Sequence, residues 1–135
     1  MRRVNLRIVS EQSDGYTTDQ VDESYDAVLT DLPNGASIRY QRLADHGEKV
    51  HCRLFIGEEG IEISNRGPIN SLLTFEPGIR HRSVYETPFG KFPIETETKA
   101  LKIERIDDEI RAEVVYQLYS DGKILTTHDM KITVR

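Results

Sequence analysis

The sequence lacks the features that mark secreted and membrane-embedded proteins. It has a single cysteine, Cys52, in 135 residues, so no internal disulfide can form. One unpaired thiol is typical of a reducing compartment, which predicts a cytoplasmic location. The N-terminal segment MRRVNLRIVS alternates charged and apolar side chains, and no stretch approaches transmembrane length. We therefore expect neither a signal peptide nor a membrane span.

Motifs for several common chemistries are also missing. There is no G-x-S-x-G nucleophile elbow, no P-loop and no G-x-G-x-x-G turn. No His or Cys pair has metal-ligand spacing, so we expect no metal site and no cofactor. The net charge of -5 argues against nucleic acid or an anionic membrane as a partner, because both require a cationic face.

The sequence does contain apolar and polar residues that alternate with period two along nearly its whole length. No window shows the period of a helix. The pattern divides into about ten strands at roughly 10–13-residue spacing, which is typical of a β-sandwich or an up-and-down barrel. Short turns favour a meander, and a meander of ten strands has two exposed edges unless it curls shut. The prediction is an all-β fold, a single antiparallel up-and-down barrel that spans residues 1–135 as one domain.

Several local patterns predict where the strands end in turns and where they contain bulges. The hairpin YETPFGKFPIETET at 85–98 turns at Pro88 to Gly90, and Pro33-Asn34-Gly35 predicts a second tight turn in which Asn-Gly supplies positive φ. The polar run at 11–20 is predicted to be a loop. Apolar side chains change parity within 21–32 and again near 99–100, which predicts a bulge in each place.

Several segments resemble a bacterial family of unknown function typified by the YwiB-like proteins. They are Asn65-Arg66-Gly67, LLTFEPG at 72–78, VYETPFG at 84–90, ETET at 95–98 and VYQLYSDGK at 115–123. The resemblance implies a calycin-like barrel, related in shape to lipocalins, in a cytoplasmic bacterial protein. It implies no known reaction. The positions that match the family motif are Arg66, Gly67, Tyr85, Thr87, Pro88, Phe89, Gly90, Glu95, Thr96 and Thr98.

The alternation places a polar set of side chains inside the predicted barrel. Its members are His81, Tyr85, Thr96, Thr98, Tyr116, Thr126 and His128. One interpretation is a pocket for a small apolar or amphipathic molecule, and the other is a filled core whose hydroxyls bond to one another. The apolar residues expected to line a pocket are Leu54, Ile63, Phe75, Phe92, Ile94 and Val114. The candidate ligand-binding residues are His81, Tyr85, Arg66, Thr96, Tyr116 and His128.

Other interpretations give individual residues different roles. Arg66 could clamp an anion at the barrel mouth, or it could cap the barrel by pairing with Glu95, which we favour. In a less favoured hypothesis, a small enzyme uses His81 and His128 as acid and base. Cys52 is predicted to be a buried small hydrophobe rather than a nucleophile, because its strand neighbour His51 points to the opposite face.

Arginines on the outer face suggest the main alternative to ligand binding. Arg80, Arg82 and Val84 share one face of a strand, and Arg39, Arg53 and Arg111 would join them if their strands were neighbours. Such a face, or an unclosed edge strand, could dock another protein or a second copy of the chain. A solvated face whose charges prevent aggregation is the simpler interpretation of the same residues.

Overall fold

The chain folds into ten β-strands without a helix, as the sequence predicts. The computed structural model describes residues 1–135. The strands are β1 (Arg2–Ser13), β2 (Thr18–Leu32), β3 (Gly35–Leu43), β4 (Lys49–Gly57), β5 (Ile61–Arg66), β6 (Ser71–Phe75), β7 (Arg80–Thr87), β8 (Gly90–Ile106), β9 (Glu109–Ser120) and β10 (Lys123–Val134). No helix of a length and apolarity suited to crossing a membrane is present.

All ten strands belong to one antiparallel sheet that curls into a nearly closed up-and-down barrel. The order is β6-β5-β4-β3-β2-β1-β10-β9-β8-β7, so the first and last strands of the chain are neighbours. Their ladder runs from Leu6–Val134 to Ser13–Thr127. β6 and β7 are the two edge strands, and one bridge joins them: Asn70, which directly precedes β6, and Glu86 of β7 exchange N–H···O bonds of 2.8 and 2.9 Å. This gap between β6 and β7 is the seam of the barrel.

The barrel has a closed end and an open end. The turns that follow β2, β4, β6 and β8 lie at the closed end, and the turns that follow the odd-numbered strands lie at the open end. Inward side chains of β2 show the difference, since Leu29 near the closed end is 1% exposed and Val21 near the open end is 39% exposed. Similarly, Leu6 of β1 is fully buried whereas Gln12 is half-buried. The apolar core therefore fills the closed half, and on β4 it continues to the fully buried Val50 near the open end.

Twenty residues from eight of the ten strands form that core, and β7 and β8 contribute none of them. The largest of the fully buried side chains belong to Phe75, Leu6, Leu29, Ile38 and Leu54. Burial of this apolar surface is the main favourable contribution to folding. The alternation recognised in the sequence predicts these positions correctly because a strand with one wet face repeats every two residues.

Two predictions for the N-terminal hairpin are wrong. Residues 11–20 are not a loop, because β1 and β2 remain paired up to Ser13 and Thr18. Asp14 tightens the connection, since its Oδ1 accepts 2.8 Å hydrogen bonds from the amides of Tyr16 and Thr17. The bulge predicted within β2 is absent, and its register is continuous against both neighbours.

The apolar residues that suggested the bulge in β2 lie outside the core. Val28 is 40% exposed on the outer face, and Leu32 is 37% exposed at the end of its strand. β2 pairs with β3 only from Val28 to Leu32, so its preceding residues diverge from β3 and follow β1 alone. A bulge is not needed, because the outer face tolerates single apolar side chains.

The second predicted bulge and the other predicted turns lie close to their expected positions. The register of β8 against β9 shifts between Thr98 and Ala100, which confirms the bulge predicted near 99–100. The β9–β10 turn has positive φ at both Asp121 (51°) and Gly122 (76°), as a two-residue hairpin of this hand requires. In the β2–β3 hairpin the turn residues are Pro33 and Asn34, and Gly35 instead begins β3.

Gly35 is required for a close backbone approach. A Cβ atom there would lie 2.2 Å from the carbonyl oxygen of Ile56. We expect Gly35→Ala to lower the free energy of unfolding by about 3 kcal/mol, because a backbone clash cannot be relieved by a rotamer change. Gly47→Ala meets no atom within 4 Å and should cost only about 1 kcal/mol for its left-handed φ. Urea denaturation measures both, and equal losses would contradict this account.

Candidate functional site

Three of the polar residues predicted to face inward form one row across β8, β9 and β10. Thr98 lies opposite Tyr116, and Tyr116 lies opposite His128. The rings of Tyr116 and His128 stack with centroids 4.6 Å apart and planes 2° from parallel, and Phe75 packs 4.5 Å from the Tyr116 ring. Burial raises the pKa of Tyr116 to about 12 and lowers the pKa of His128. Both rings are therefore neutral at neutral pH.

The hydroxyls near this row are only partly satisfied. The Thr126 hydroxyl lies 2.6 Å from Nε2 of His128, and the Thr96 hydroxyl donates to the carbonyl oxygen of Thr74 across the seam. The hydroxyl of Thr98, which is 1% exposed, has no partner. A buried hydroxyl without a partner is unfavourable, so Thr98 lowers the stability of this row slightly.

His81 lies opposite Thr96 on β7 but has a different environment. Its Nε2 is 3.0 Å from Oε1 of Glu76, at an angle that does not make a hydrogen bond. Three strand spacings along the sheet separate the strand of His81 from that of His128. Each imidazole therefore contacts a different side chain, and the structure does not join them as an acid–base pair.

A second polar row lines the opposite wall, on β2 to β6. The rings of Tyr25 and Tyr40 are 4.8 Å apart, and Tyr25 donates a short hydrogen bond to Glu23. Cys52 donates to Oδ1 of Asn65 at 3.1 Å, and the Asn65 amide donates to Ser71 at 2.9 Å. Burial raises the pKa of Cys52, so its thiol stays protonated. This agrees with the interpretation of Cys52 as a buried small side chain.

The remaining two candidates lie away from both rows. Tyr85 is half-buried opposite Phe92, in the part of the β7–β8 hairpin that extends beyond the end of β9. Phe92 itself is 49% exposed, so it does not belong to the core. Arg66 is exposed on the outer face opposite His51.

The predicted pairing of Arg66 with Glu95 is wrong. Glu95 lies on β8 and pairs with Arg82 at 3.2 Å and Arg80 at 3.5 Å, which project from the neighbouring strand β7. Arg66 lies on β5, which does not adjoin β8. Sequence spacing does not reveal which strands meet at the seam.

The outer face of β7 to β9 is an ion-pair network rather than a free basic patch. Hydrogen bonds from Lys99 and Arg80 to Glu97, both 2.8 Å long, lower the pKa of Glu97 to about 2. The Arg80 guanidinium also lies 4.0 Å from the centre of the Tyr119 ring. Arg111 belongs to a different part of β9 and pairs with Glu109.

Five surface clefts have volumes between about 210 and 620 Å³. None of them is lined by Thr96, Tyr116 or His128. Arg66 borders one cleft of about 540 Å³ on the outside of β3 to β5. The inward candidates and Arg66 are therefore on opposite faces of the sheet.

The family model for a domain of unknown function, DUF1934, matches residues 6–132. The chain belongs to the DUF1934 family. A solved structure with the same fold is the crystal structure of ywiB protein from Bacillus subtilis, with a TM-score of 0.88 and 19% sequence identity. The alignment covers 98% of this chain and 90% of that one. No curated protein matches the sequence.

Membership confirms the resemblance read from the 65–98 and 115–123 segments. In this DUF1934 protein, most of the motif lies on the β7–β8 hairpin and beside the seam. At 19% identity, the ywiB structure shows the common fold alone. The family name assigns no reaction, so function has to be argued from the residues.

The row on β2 to β6 was not predicted. Tyr25 alternates with core residues of β2, and Tyr40 alternates with those of β3, so parity is the signal that could have placed both rings inside. The strand pairing that places these rings beside Cys52 and Asn65 is not visible in the sequence. Register across four strands depends on turns and on closure of the ring.

The lowered pKa of His128 predicts a pH-dependent stability. In the unfolded chain His128 takes up a proton near pH 6.5, whereas in the folded protein it does so only at a lower pH. The free energy of unfolding therefore falls as the pH decreases below 6.5 and is retained above it. We expect His128→Phe, which keeps an aromatic ring, to flatten the dependence of unfolding free energy between about pH 7.5 and 5.5. His46→Gln, in an exposed turn, should leave the slope unchanged. An unchanged slope in His128→Phe would contradict the assignment.

Proposed function

We propose that this protein binds a small amphipathic molecule in the open half of its barrel, in the manner of a calycin-like carrier. The observation that carries the proposal is the change along the strands from a packed apolar interior to an inward surface that is polar, aromatic and half-exposed. On β8, inward Thr98 is 1% and Phe92 49% exposed. Ligand sites in small barrels lie at such mouths.

The two polar rows would orient the ligand. The Tyr116–His128 stack lies on one wall and the Tyr25–Tyr40 pair on the other. Half-buried apolar side chains, including Ile8, Ile94 and Leu118, extend the inward surface towards the open end. Apolar contact with a few placed polar groups is the usual composition of a small-molecule site.

Arg42 favours a ligand with an anionic group. It shares the inward parity of Tyr40, is half-buried, and makes no ion pair. Its charge lies near enough to oppose the rise in the pKa of Tyr25, Tyr40 and Cys52 that burial causes. A carboxylate or sulfonate in the mouth would find this guanidinium available.

A binding role is better supported than catalysis, because His81 and His128 have separate partners. We also propose a cytoplasmic location, which the single unpaired thiol of Cys52 supports. Native mass spectrometry of protein purified from its host should detect a retained small molecule.

Filling the mouth tests the site directly. Ser10 is half-buried and pairs with inward Met130, whereas Ser24 is exposed on the outer face of β2. We expect Ser10→Phe to weaken binding of the amphipathic fluorophore anilinonaphthalene sulfonate by about tenfold or more, measured by fluorescence titration. Ser24→Phe is the matched control and should bind normally. Equal binding by both variants, with no retained mass in the native protein, would exclude the interior site.

A second candidate function, self-association through an edge strand, is favoured by the seam. β6 and β7 present backbone groups that no strand pairs with except at Asn70–Glu86. Exposed edges of this kind can pair with a second chain. The apolar Leu72 is 47% exposed on β6, on the outer side of this edge.

Sedimentation at increasing protein concentration tests this alternative. We expect a dimer that Leu72→Lys abolishes, because a charge at the edge opposes strand pairing. Val28→Lys is a matched control, since Val28 is 40% exposed on a strand with two neighbours. A monomer at all concentrations, or equal effects of the two variants, would reject the edge as a self-association site.

A further inference from the structure

Three arginines gather at a cleft on the outer face of β3 to β5. Arg39, Arg53 and Arg66 line it, together with Gln41, His51 and Ser64, and its volume is about 540 Å³. We refer to this site as the arginine cleft. Its side chains alternate along the strands with the inward residues, so the barrel wall separates it from the mouth.

The strand register forces like charges together in this cleft. Arg39 lies directly opposite Arg53 across β3 and β4, and Arg66 lies opposite His51 across β4 and β5. Like charges directly opposite on antiparallel strands are destabilising. The arrangement therefore costs stability unless an anion lies between the guanidinium groups.

The protein itself supplies no such anion. None of its ion pairs involves Arg39, Arg53 or Arg66. Elsewhere on the outer surface, arginines do pair with carboxylates, as Arg7 does with Asp22 and Arg105 with Asp31. The outer-face arginines without an ion pair are thus concentrated here, with Arg3 beside them in the adjoining cleft.

Two carboxylates border the cleft without neutralising it. Glu62 lies opposite Phe55 on the neighbouring strand, and Asp26 lines the adjoining cleft with Arg39 and Gln41. Neither makes an ion pair.

Arg53 is held in position for a ligand. Its Nε donates a 2.9 Å hydrogen bond to the buried Ser37 hydroxyl, and its guanidinium lies 5.4 Å from the centre of the Phe55 ring. The two terminal nitrogens make no hydrogen bond within the protein. A guanidinium fixed through Nε, with its outer nitrogens unused, suits bidentate recognition of a phosphate.

We propose that the arginine cleft binds the phosphate group of a phosphorylated small molecule. Arg39 and Arg53, on the adjacent strands β3 and β4, donate hydrogen bonds to the phosphate oxygens. Arg66 and Ser64 donate further hydrogen bonds from β5. The three arginines span two strand spacings, about 10 Å, which fits one or two phosphate groups. A nucleic acid would require a longer basic surface than these three arginines provide. The net charge of -5 also disfavours binding of a nucleic acid.

Titration of the full chain with inorganic phosphate and pyrophosphate, followed by calorimetry and amide NMR shifts, tests the proposal. Shifts should centre on 37–41, 51–55 and 64–66. Arg53→Gln and Arg39→Gln should each weaken pyrophosphate binding by about tenfold or more. Arg111→Gln is the control, because Arg111 is an outer-face arginine already paired with Glu109. Absence of binding, or equal binding by Arg53→Gln and Arg111→Gln, would overturn the proposal.

Thermal stability provides a second readout that also confirms folding. In phosphate-free buffer, Arg39→Gln should melt at a higher temperature than the wild type, because it removes like-charge repulsion. Pyrophosphate should raise the melting temperature of the wild type and of Arg111→Gln but not that of Arg53→Gln. A lower melting temperature for Arg39→Gln together with an unchanged response to pyrophosphate would count against the site.

The phosphate could come from a soluble ester or a lipid headgroup, and two arms separate these sources. One uses glycerol phosphate, and the other uses phosphatidylcholine vesicles with and without phosphatidic acid. Loss of binding in Arg53→Gln supports the cleft in either arm and identifies the source. Binding of a single-stranded oligonucleotide without any binding of pyrophosphate would overturn the small-molecule proposal. None of these measurements depends on the barrel mouth, so this proposal and the proposed carrier function can fail independently.

Discussion

Pairing of the first strand with the last one is the interaction on which the rest of this structure depends. The β1–β10 ladder brings together residues more than a hundred positions apart and converts a ten-strand meander into a ring. Once the ring is formed, every second side chain faces a common interior and the others face water. The packed closed half, the polar open half and the arginine cleft on the outer face all follow from that division.

Much of this arrangement could be predicted from sequence, because its signal is local. Alternation identified the core positions of β4, from Val50 to Ile56, and those of β10, from Met130 to Val134. The parity change near Lys99 correctly indicated a bulge. Each of these features depends on a few consecutive residues and a period of two.

Features that depend on which strands meet could not be predicted in the same way. Glu95 pairs with Arg80 and Arg82 and not with Arg66, because the seam lies between β6 and β7. Val28 changed the apparent parity of β2 although it only occupies the outer face. The sequence likewise contained Arg39 and Arg53, but only the β3–β4 register places them side by side.

The seam also gives the barrel a preferred line of deformation. Elsewhere neighbouring strands are joined by ladders of at least five residue pairs, whereas β6 and β7 share a single bridge. Local opening begins where the fewest backbone hydrogen bonds must break. Thermal fluctuations will therefore not widen this barrel evenly. The β7–β8 hairpin will instead rotate outward about its ladder with β9. The inner wall beside Thr96 will then be the first part to become exposed to solvent.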